Sequence, residues 1–140
     1  MTTKPIPKVA EYMTEHPYSI GLREPLEEAY ARMRRNTIRH LPVLSGKRLV
    51  GLLADPDLRT VELLRRVNLA EISVEDAMTP VPHSVTVDAR LDEVVREMLA
   101  NKVDAVVVMR DADVAGVFTA IDGLRALYDL LGGRSNDSNA

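Results

Sequence analysis

The segment GVFTAID, Gly116–Asp122, has a counterpart 65 residues upstream in GLLADPD, Gly51–Asp57, and this pair of segments reveals how the chain is organised. Both begin with glycine, continue with two apolar residues and end with aspartate. At the same offset, without a gap, twelve residues of the first half of the chain meet identical residues in the second half. These twelve are Val9, Met13, Thr14, Pro17, Ser19, Leu26, Glu28, Met33, Asn36, Val43, Gly51 and Asp57. The repeat predicts two copies of one structural unit that together fill the chain.

Hydrophobic periodicity and turn residues predict the same elements in each copy: short helix, strand, helix, strand, strand, helix. In the second copy these are strand Ser84–Val87, helix Ala89–Asn101 with Asp88 as its cap, strand Ala105–Met109, strand Asp113–Thr119 and helix Ala120–Leu131. The apolar run Ala105–Met109 is typical of a strand covered on both sides. One face of the helix Ala89–Asn101 is expected to carry Leu91, Val94, Val95, Met98 and Leu99.

Composition restricts the class of protein. The chain has 140 residues, 46% of them hydrophobic, which suffices for the core of one compact module. A net charge of -3 gives no global positive field for nucleic acid, and the absence of cysteine excludes disulfides and thiolate metal sites. The opening MTTKPIPK has no apolar signal segment, and no run of about 18 apolar residues predicts a membrane span. We therefore expect a soluble cytoplasmic protein without membrane or nucleic-acid partners.

The repeat also sets the expected domain organisation. Residues 1–140 are interpreted as a single module, with the first copy at residues 8–68, the second at 73–131 and a disordered polar tail at 132–140. One copy buries too little surface to be stable by itself. Apolar helix residues such as Ala29, Met33, Leu63 and Leu64 are therefore expected to pack the copies together and against a second chain, rather than to line a cofactor pocket.

These segments resemble the cystathionine-β-synthase (CBS) domain, present as the tandem pair called a Bateman module. The resemblance lies in VAEYMTEHPYSI and VEDAMTPVPHSV, in the strand segment RHLPVL, and in the strand-to-helix segments GLLADPDL and GVFTAIDG. It covers residues 9–131. It implies an α+β fold with two β-α-β-β-α repeats around a pseudo-twofold axis, each with a three-stranded sheet and two helices. It also implies a homodimer that binds an adenosine nucleotide and regulates another protein.

GVFTAID has two interpretations. Gly116 lets a ligand or another backbone come close, and Thr119 and Asp122 stand three residues apart at a helix start. By similarity to the family, Asp122 would hold the hydroxyl groups of a ribose and Thr119 would contact the ribose or a phosphate. A threonine N-cap followed three residues later by an acid is also close to a capping box, which requires no ligand. The sequence leaves both interpretations open.

The first copy bears on this choice. Ala54 replaces the threonine, while Asp55 can cap the helix and Pro56 suits its first position. Asp57 is then not needed for the cap, and its presence favours a second role as a ribose ligand. We therefore expect two unequal sites, with the better-equipped one in the second copy.

The phosphates of a nucleotide also need cations. Arg39 and His40 precede the strand LPVL, where the family often places phosphate-binding residues, and their counterparts in the second copy are Asp104 and Ala105. We expect Arg39, with His40, to bind phosphate. The other arginines of this run, Arg32, Arg34 and Arg35, are expected to form a solvated helix face with Glu27 and Glu28.

The adenine ring is expected to rest on residues that the resemblance places near it: Val81, Pro82, His83, Val103 and Ile121. The three histidines form no metal pattern, so no metal site is expected. The ligand is expected to be AMP, ADP or ATP, while S-adenosylmethionine and NAD stay open.

The function expected from these observations is regulatory and not enzymatic. The sequence has no GxxxxGK[ST] phosphate loop, no HExxH pair and no serine-histidine-acid grouping, so we assign no catalytic residue and no catalytic cofactor. The alternative is a dimerisation or docking module without a ligand, whose acidic helix faces meet another protein. A third hypothesis is nucleic-acid binding through the arginine run, but this run lacks the aromatic residues that would stack on bases.

Overall fold

A computed structural model describes residues 5–16, 18–56 and 58–132 of the chain. Within these residues the fold is α+β, with two β-sheets and five α-helices, which confirms the predicted fold class. Two 3₁₀ helices, Val9–Glu11 and Leu69–Glu71, complete the described helical structure. Across the described ranges, no helix combines the length and the apolar character needed to cross a membrane.

The first sheet has four strands in the order β1-β2-β3-β4. They are β1 (Ile20–Gly21), β2 (His40–Ser45), β3 (Arg48–Ala54) and β4 (Thr79–Pro80). Strand β1 is parallel to β2, and the β2–β3 and β3–β4 pairs are antiparallel. The associated helices are α1 (Leu26–Asn36), α2 (Leu58–Leu64) and α3 (Val74–Ala77).

The second sheet has three strands in the order β5-β6-β7, with β5 parallel to β6. They are β5 (Ser84–Thr86), β6 (Ala105–Arg110) and β7 (Asp113–Thr119). The helices that belong to it are α4 (Leu91–Asn101) and α5 (Ala120–Leu130). Helix α5 therefore begins directly where β7 ends, at Thr119.

Apart from shifts of one residue at the ends of some elements, three details differ from the sequence-based expectation. The first sheet has a fourth strand, because Thr79–Pro80 from the opening segment of the second copy pairs with β3. Helix α4 begins at Leu91 with Arg90 at the N-cap position and not Asp88, since the Leu91 amide donates to the Pro7 carbonyl, 2.9 Å away. Helix α2 begins at Leu58, so Pro56 is not its first residue.

The described chain forms two compact units, each with its own apolar core. The first-repeat unit comprises residues 16–82, except the undescribed 17 and 57, together with 112–114. The second-repeat unit comprises residues 5–15, 83–111 and 115–132. The opening segment of each copy therefore lies in the unit built on the other copy's sheet.

Backbone hydrogen bonds show this exchange in both units. In the second-repeat unit, the Val9 amide donates to the Ala89 carbonyl at 2.8 Å, and Val9 is fully buried. In the first-repeat unit, the Val74 amide, 65 residues later, donates to the Glu24 carbonyl at the same distance. We call residues 5–15 the N-terminal arm.

Candidate functional site

Asp122 is the buried acidic residue at the start of α5, and it is only 1% exposed. Its Oδ2 accepts hydrogen bonds from the Thr119 amide at 3.0 Å and from the Thr119 hydroxyl at 3.1 Å. In return, the Asp122 amide donates to Thr119 Oγ1 at 3.3 Å. Thr119 and Asp122 therefore form the capping box that was one of the two interpretations of GVFTAID.

The capping box does not account for the other oxygen of this carboxylate. Oδ1 of Asp122 accepts from the Thr14 hydroxyl at 2.8 Å and from Arg125 Nη1 at 3.0 Å. Sequence reasoning missed both donors. The signal for Thr14 was its identity with Thr79 in the repeat, and the signal for Arg125 was its position one helical turn after Asp122. Two hydroxyls, an amide and a guanidinium therefore donate to this carboxylate, and the two donors on Oδ1 lie outside the helix cap.

Gly116 makes room for another backbone. A Cβ on this residue would lie 2.7 Å from the Thr14 carbonyl oxygen and 3.0 Å from Met13 Sδ. Thr14 and Val117 also exchange two backbone hydrogen bonds of 2.9 Å. The glycine therefore allows the N-terminal arm to approach β7, and the arm brings the Thr14 hydroxyl to Asp122. Gly51 in the first-repeat unit meets Met78 Sδ and the Thr79 carbonyl in the same way.

The predicted phosphate ligands, Arg39 and His40, lie in the first-repeat unit where β2 begins. The Arg39 side chain is 79% exposed, and its Nε lies 3.9 Å from Oδ2 of Asp55. The Asp55 amide donates to the Arg39 carbonyl at 2.7 Å. Asp55 therefore forms an ion pair with Arg39, and α2 begins two residues after Pro56, at Leu58. Asp57, the predicted ribose ligand of the first copy, lies outside the described residues.

Two of the other arginines of this run, Arg32 and Arg35, form surface ion pairs with Glu28. Glu28 Oε1 accepts from Arg35 Nη2 at 3.1 Å and from Arg32 Nη2 at 3.3 Å. The hydrogen bond from Arg35, followed by that from Arg32, lowers the pKa of the Glu28 carboxyl. On the inner face of the same helix, burial and the nearby Asp55 raise the pKa of Tyr30.

The five predicted adenine contacts are divided between the units. Val81 and Pro82 belong to the first-repeat unit, whereas His83, Val103 and Ile121 belong to the second-repeat unit. Val81 is 89% exposed and adopts a φ of 48°, in the left-handed region. Ile121 is also exposed, while Val103 is partly buried against the core. Val103 and Ile121 therefore have different surroundings within one unit, and the adenine role of all five residues stays a prediction.

An open apolar groove of about 670 Å³ lies in the second-repeat unit between α4, α5 and residues 5–7 of the arm. Leu99, predicted to share the apolar face of α4 with Leu91 and Val94, is exposed and lines this groove. Leu124, Leu127 and Leu130 of α5 also line the groove and are exposed. The two helices thus present an apolar surface to solvent. In the described part of the chain, no group of three or more histidine, aspartate or glutamate side chains could hold a metal ion.

Comparisons with known proteins give a family, a relative and solved structures. The family model of the CBS domain matches residues 9–63 and again residues 74–129. The uncharacterized protein YlbB of Bacillus subtilis (strain 168) is 28% identical over 120 residues, which are 82% of this chain and 78% of YlbB. The two family matches coincide with the two copies seen in the sequence.

Two solved structures share the fold at low sequence identity. The CBS domain pair of protein MJ0100, in complex with 5′-methylthioadenosine and S-adenosyl-L-methionine, is 24% identical with a TM-score of 0.74 over 93% of this chain and 99% of that one. CBSX2 in complex with AMP is 22% identical with a TM-score of 0.70 over 87% of this chain and 97% of that one.

Proposed function

Because the chain belongs to the CBS domain family and carries two CBS domains in tandem, we propose that it is a regulatory module that binds an adenosine nucleotide and acts as a homodimer. The ligand proposed is AMP, ADP or ATP. The observation that carries the proposal is the buried Asp122 carboxylate, which has one oxygen outside the helix cap and is ringed by hydroxyl and guanidinium donors.

The ribose role of Asp122 follows from hydrogen-bond chemistry. A carboxylate can accept hydrogen bonds from two vicinal hydroxyl groups, and the Thr119 hydroxyl next to it can turn to donate or accept. Ligands bound by CBS pairs of the same fold, 5′-methylthioadenosine, S-adenosyl-L-methionine and AMP, all contain a ribose and an adenine. These ligands support the adenosine class for this chain.

We propose binding and regulation, and not catalysis, for this module. The sequence has no GxxxxGK[ST] phosphate loop, no HExxH pair and no serine-histidine-acid grouping. A ligand that binds one arrangement of the protein more tightly than another shifts the population between them, and a partner protein can respond to that shift. We propose that the protein regulated by this module is one that responds to such a shift.

The test is the melting temperature of the pure full chain with AMP, ADP, ATP, S-adenosylmethionine and NAD. A ligand at 100 times its Kd stabilises the folded state by about 2.7 kcal/mol, which raises Tm by roughly 5 to 10 °C in a chain near this size. Asp122→Asn should abolish most of the shift, measured from its own ligand-free Tm, whereas Asp113→Asn on the exposed end of β7 should keep it. Asp57→Asn should have little effect.

Absence of a shift with all five compounds would reject the nucleotide proposal and favour the second candidate, a docking module without a ligand. One observation favours that candidate: hydroxyl, amide and guanidinium groups of the chain already donate to both oxygens of the Asp122 carboxylate. The phosphate role of Arg39 and His40 is tested with the same assay. Arg39→Ala should weaken ATP and ADP more than adenosine, and equal weakening would end that role.

The homodimer is proposed from the exposed leucines of the groove. Leu124 and Leu127 are half or more exposed on a helix whose opposite face is packed, and apolar surface of this kind is typical of an interface. Leu124→Arg is expected to halve the mass measured by light scattering after size exclusion. Val81→Arg places the same charge on another exposed apolar residue and should leave the mass unchanged. A wild-type monomer would refute the dimer.

A further inference from the structure

The carboxylate of Asp122 already holds a full set of donors. Oδ2 accepts from the amide and hydroxyl of Thr119, and Oδ1 accepts from Thr14 Oγ1 and Arg125 Nη1. A carboxylate offers about four acceptor sites. A ribose diol can therefore reach Asp122 only if it displaces one of the present donors.

Arg125 is the donor whose displacement from Asp122 costs the least free energy. Its side chain is 57% exposed, whereas that of Asp122 is 2% exposed, so solvent reaches the arginine but hardly reaches the carboxylate. A guanidinium that leaves this position returns to water. Displacing Thr119 would instead open the cap of α5. Displacing Thr14 would take a partly buried hydroxyl away from its acceptor, on a residue whose backbone is fixed against β7.

The charge of Arg125 determines which ligand can make this exchange. A buried carboxylate that holds a ribose repels a phosphate on the same nucleoside, because like charges interact strongly where water is excluded. A guanidinium next to the carboxylate offsets this repulsion and can bind phosphate oxygens with two hydrogen bonds. A nucleoside without a phosphate gives Arg125 no phosphate oxygen to bind. When such a nucleoside displaces Arg125, the buried carboxylate is left without its cation.

We propose that Arg125 is a specificity-determining residue that makes the Asp122 site select nucleoside phosphates over adenosine compounds without a phosphate. This inference rests on the proposed ribose role of Asp122. The residue 65 positions upstream of Arg125 is Thr60, which carries no charge. The selectivity therefore belongs to the second repeat alone and gives a chemical reason for two unequal sites.

Isothermal titration of the full chain with AMP and with adenosine tests the proposal. The wild type should bind AMP at least ten times more tightly than adenosine. Arg125→Gln should weaken AMP at least tenfold and adenosine less than threefold, while Arg125→Lys, which keeps the charge, should retain most of the preference. Arg96→Gln removes the same charge from an exposed position on α4 and should change neither affinity.

The possible results separate this inference from the proposed function. If the wild type binds AMP and adenosine equally, or if Arg125→Gln weakens both to the same extent, the selectivity role is wrong and nucleotide binding stands. A wild-type ratio near one rejects the role even if Arg125→Gln fails to fold, and the ratio measured with Arg125→Lys then separates Arg125 from Arg39. If the wild type binds none of the adenosine compounds, both the proposed function and the inference are rejected.

Discussion

At the scale of single residues, Gly116 and Gly123 differ in whether the structure has room for an added methyl group. A Cβ on Gly116 would lie 2.7 Å from the Thr14 carbonyl oxygen, a backbone atom that cannot move without shifting the arm. A Cβ on Gly123, in α5, would meet its nearest atom, Phe118 Cζ, at an ordinary 3.8 Å. The same substitution is therefore expected to have opposite effects at two positions seven residues apart.

Gly116→Ala should lower the free energy of unfolding by about 1 to 3 kcal/mol because it overpacks the contact between arm and strand. Gly123→Ala should raise it by up to about 1 kcal/mol because alanine favours the helix over glycine. Urea denaturation followed by circular dichroism measures both changes. A neutral Gly116→Ala would show that the arm does not lie against β7 in solution.

At the scale of the helix, α1 carries a cluster of charged residues in which the pKa of Glu28 reports on the hydrogen-bond geometry. The Arg35 and Arg32 hydrogen bonds hold the pKa of Glu28 below its ordinary value of 4.5. Because the folded pKa is the lower one, these bonds stabilise the protein above about pH 4.5, and the contribution is lost as the pH falls through the lowered pKa. Glu28 should therefore contribute to acid sensitivity.

Arg35→Gln should move the pKa of Glu28 upward, toward its ordinary value, because the Arg35 bond is the largest cause of the shift. Arg32→Gln should move it less. Arg34→Gln removes the same charge from the same helix without a hydrogen bond to Glu28, so it serves as the matched control. Titration of Glu28 by NMR measures the three values, and equal shifts in all three variants would mean that the effect is one of overall charge.

The starts of the helices also show the limits of sequence patterns at this scale. The Thr119–Asp122 cap could be read from the sequence because its residues are three apart on one segment. The start of α4 could not, because the Leu91 amide is satisfied by the Pro7 carbonyl, 84 residues earlier. Asp88 is a good N-cap residue by type, but this distant backbone contact determines the first turn.

At the scale of the whole molecule, the exchange of opening segments means that a sequence repeat is not a folding unit. Val9, fully buried in the core of the second-repeat unit, comes from the first copy. Residues 73–140 by themselves lack the arm and expose the surface that Val9 and Met13 cover. A unit of this size buries little apolar surface, so the loss of the contacts made by Val9 and Met13 destabilises it strongly.

Residues 73–140 expressed alone should therefore unfold without a cooperative transition, and a peptide of residues 1–15 added in trans should restore one. The same peptide with Val9→Asp should fail, because it would place a charge in an apolar core. Thermal unfolding followed by circular dichroism measures this. A cooperative transition without the peptide would show that the arm is dispensable.

The duplication and the order of the elements in each copy could be predicted from the sequence, because they depend on a constant offset and on local periodicity. The α+β class followed from the resemblance to the CBS family, and the capping box of Thr119 and Asp122 was one of two open interpretations. The tertiary structure alone decided which sheet each opening segment joins, why Gly116 has no side chain, and that Thr14 and Arg125 bind the carboxylate of Asp122. Thr14 is 108 residues from Asp122. A contact over that separation is fixed by packing and backbone pairing between distant segments, which leave no periodic pattern in the chain.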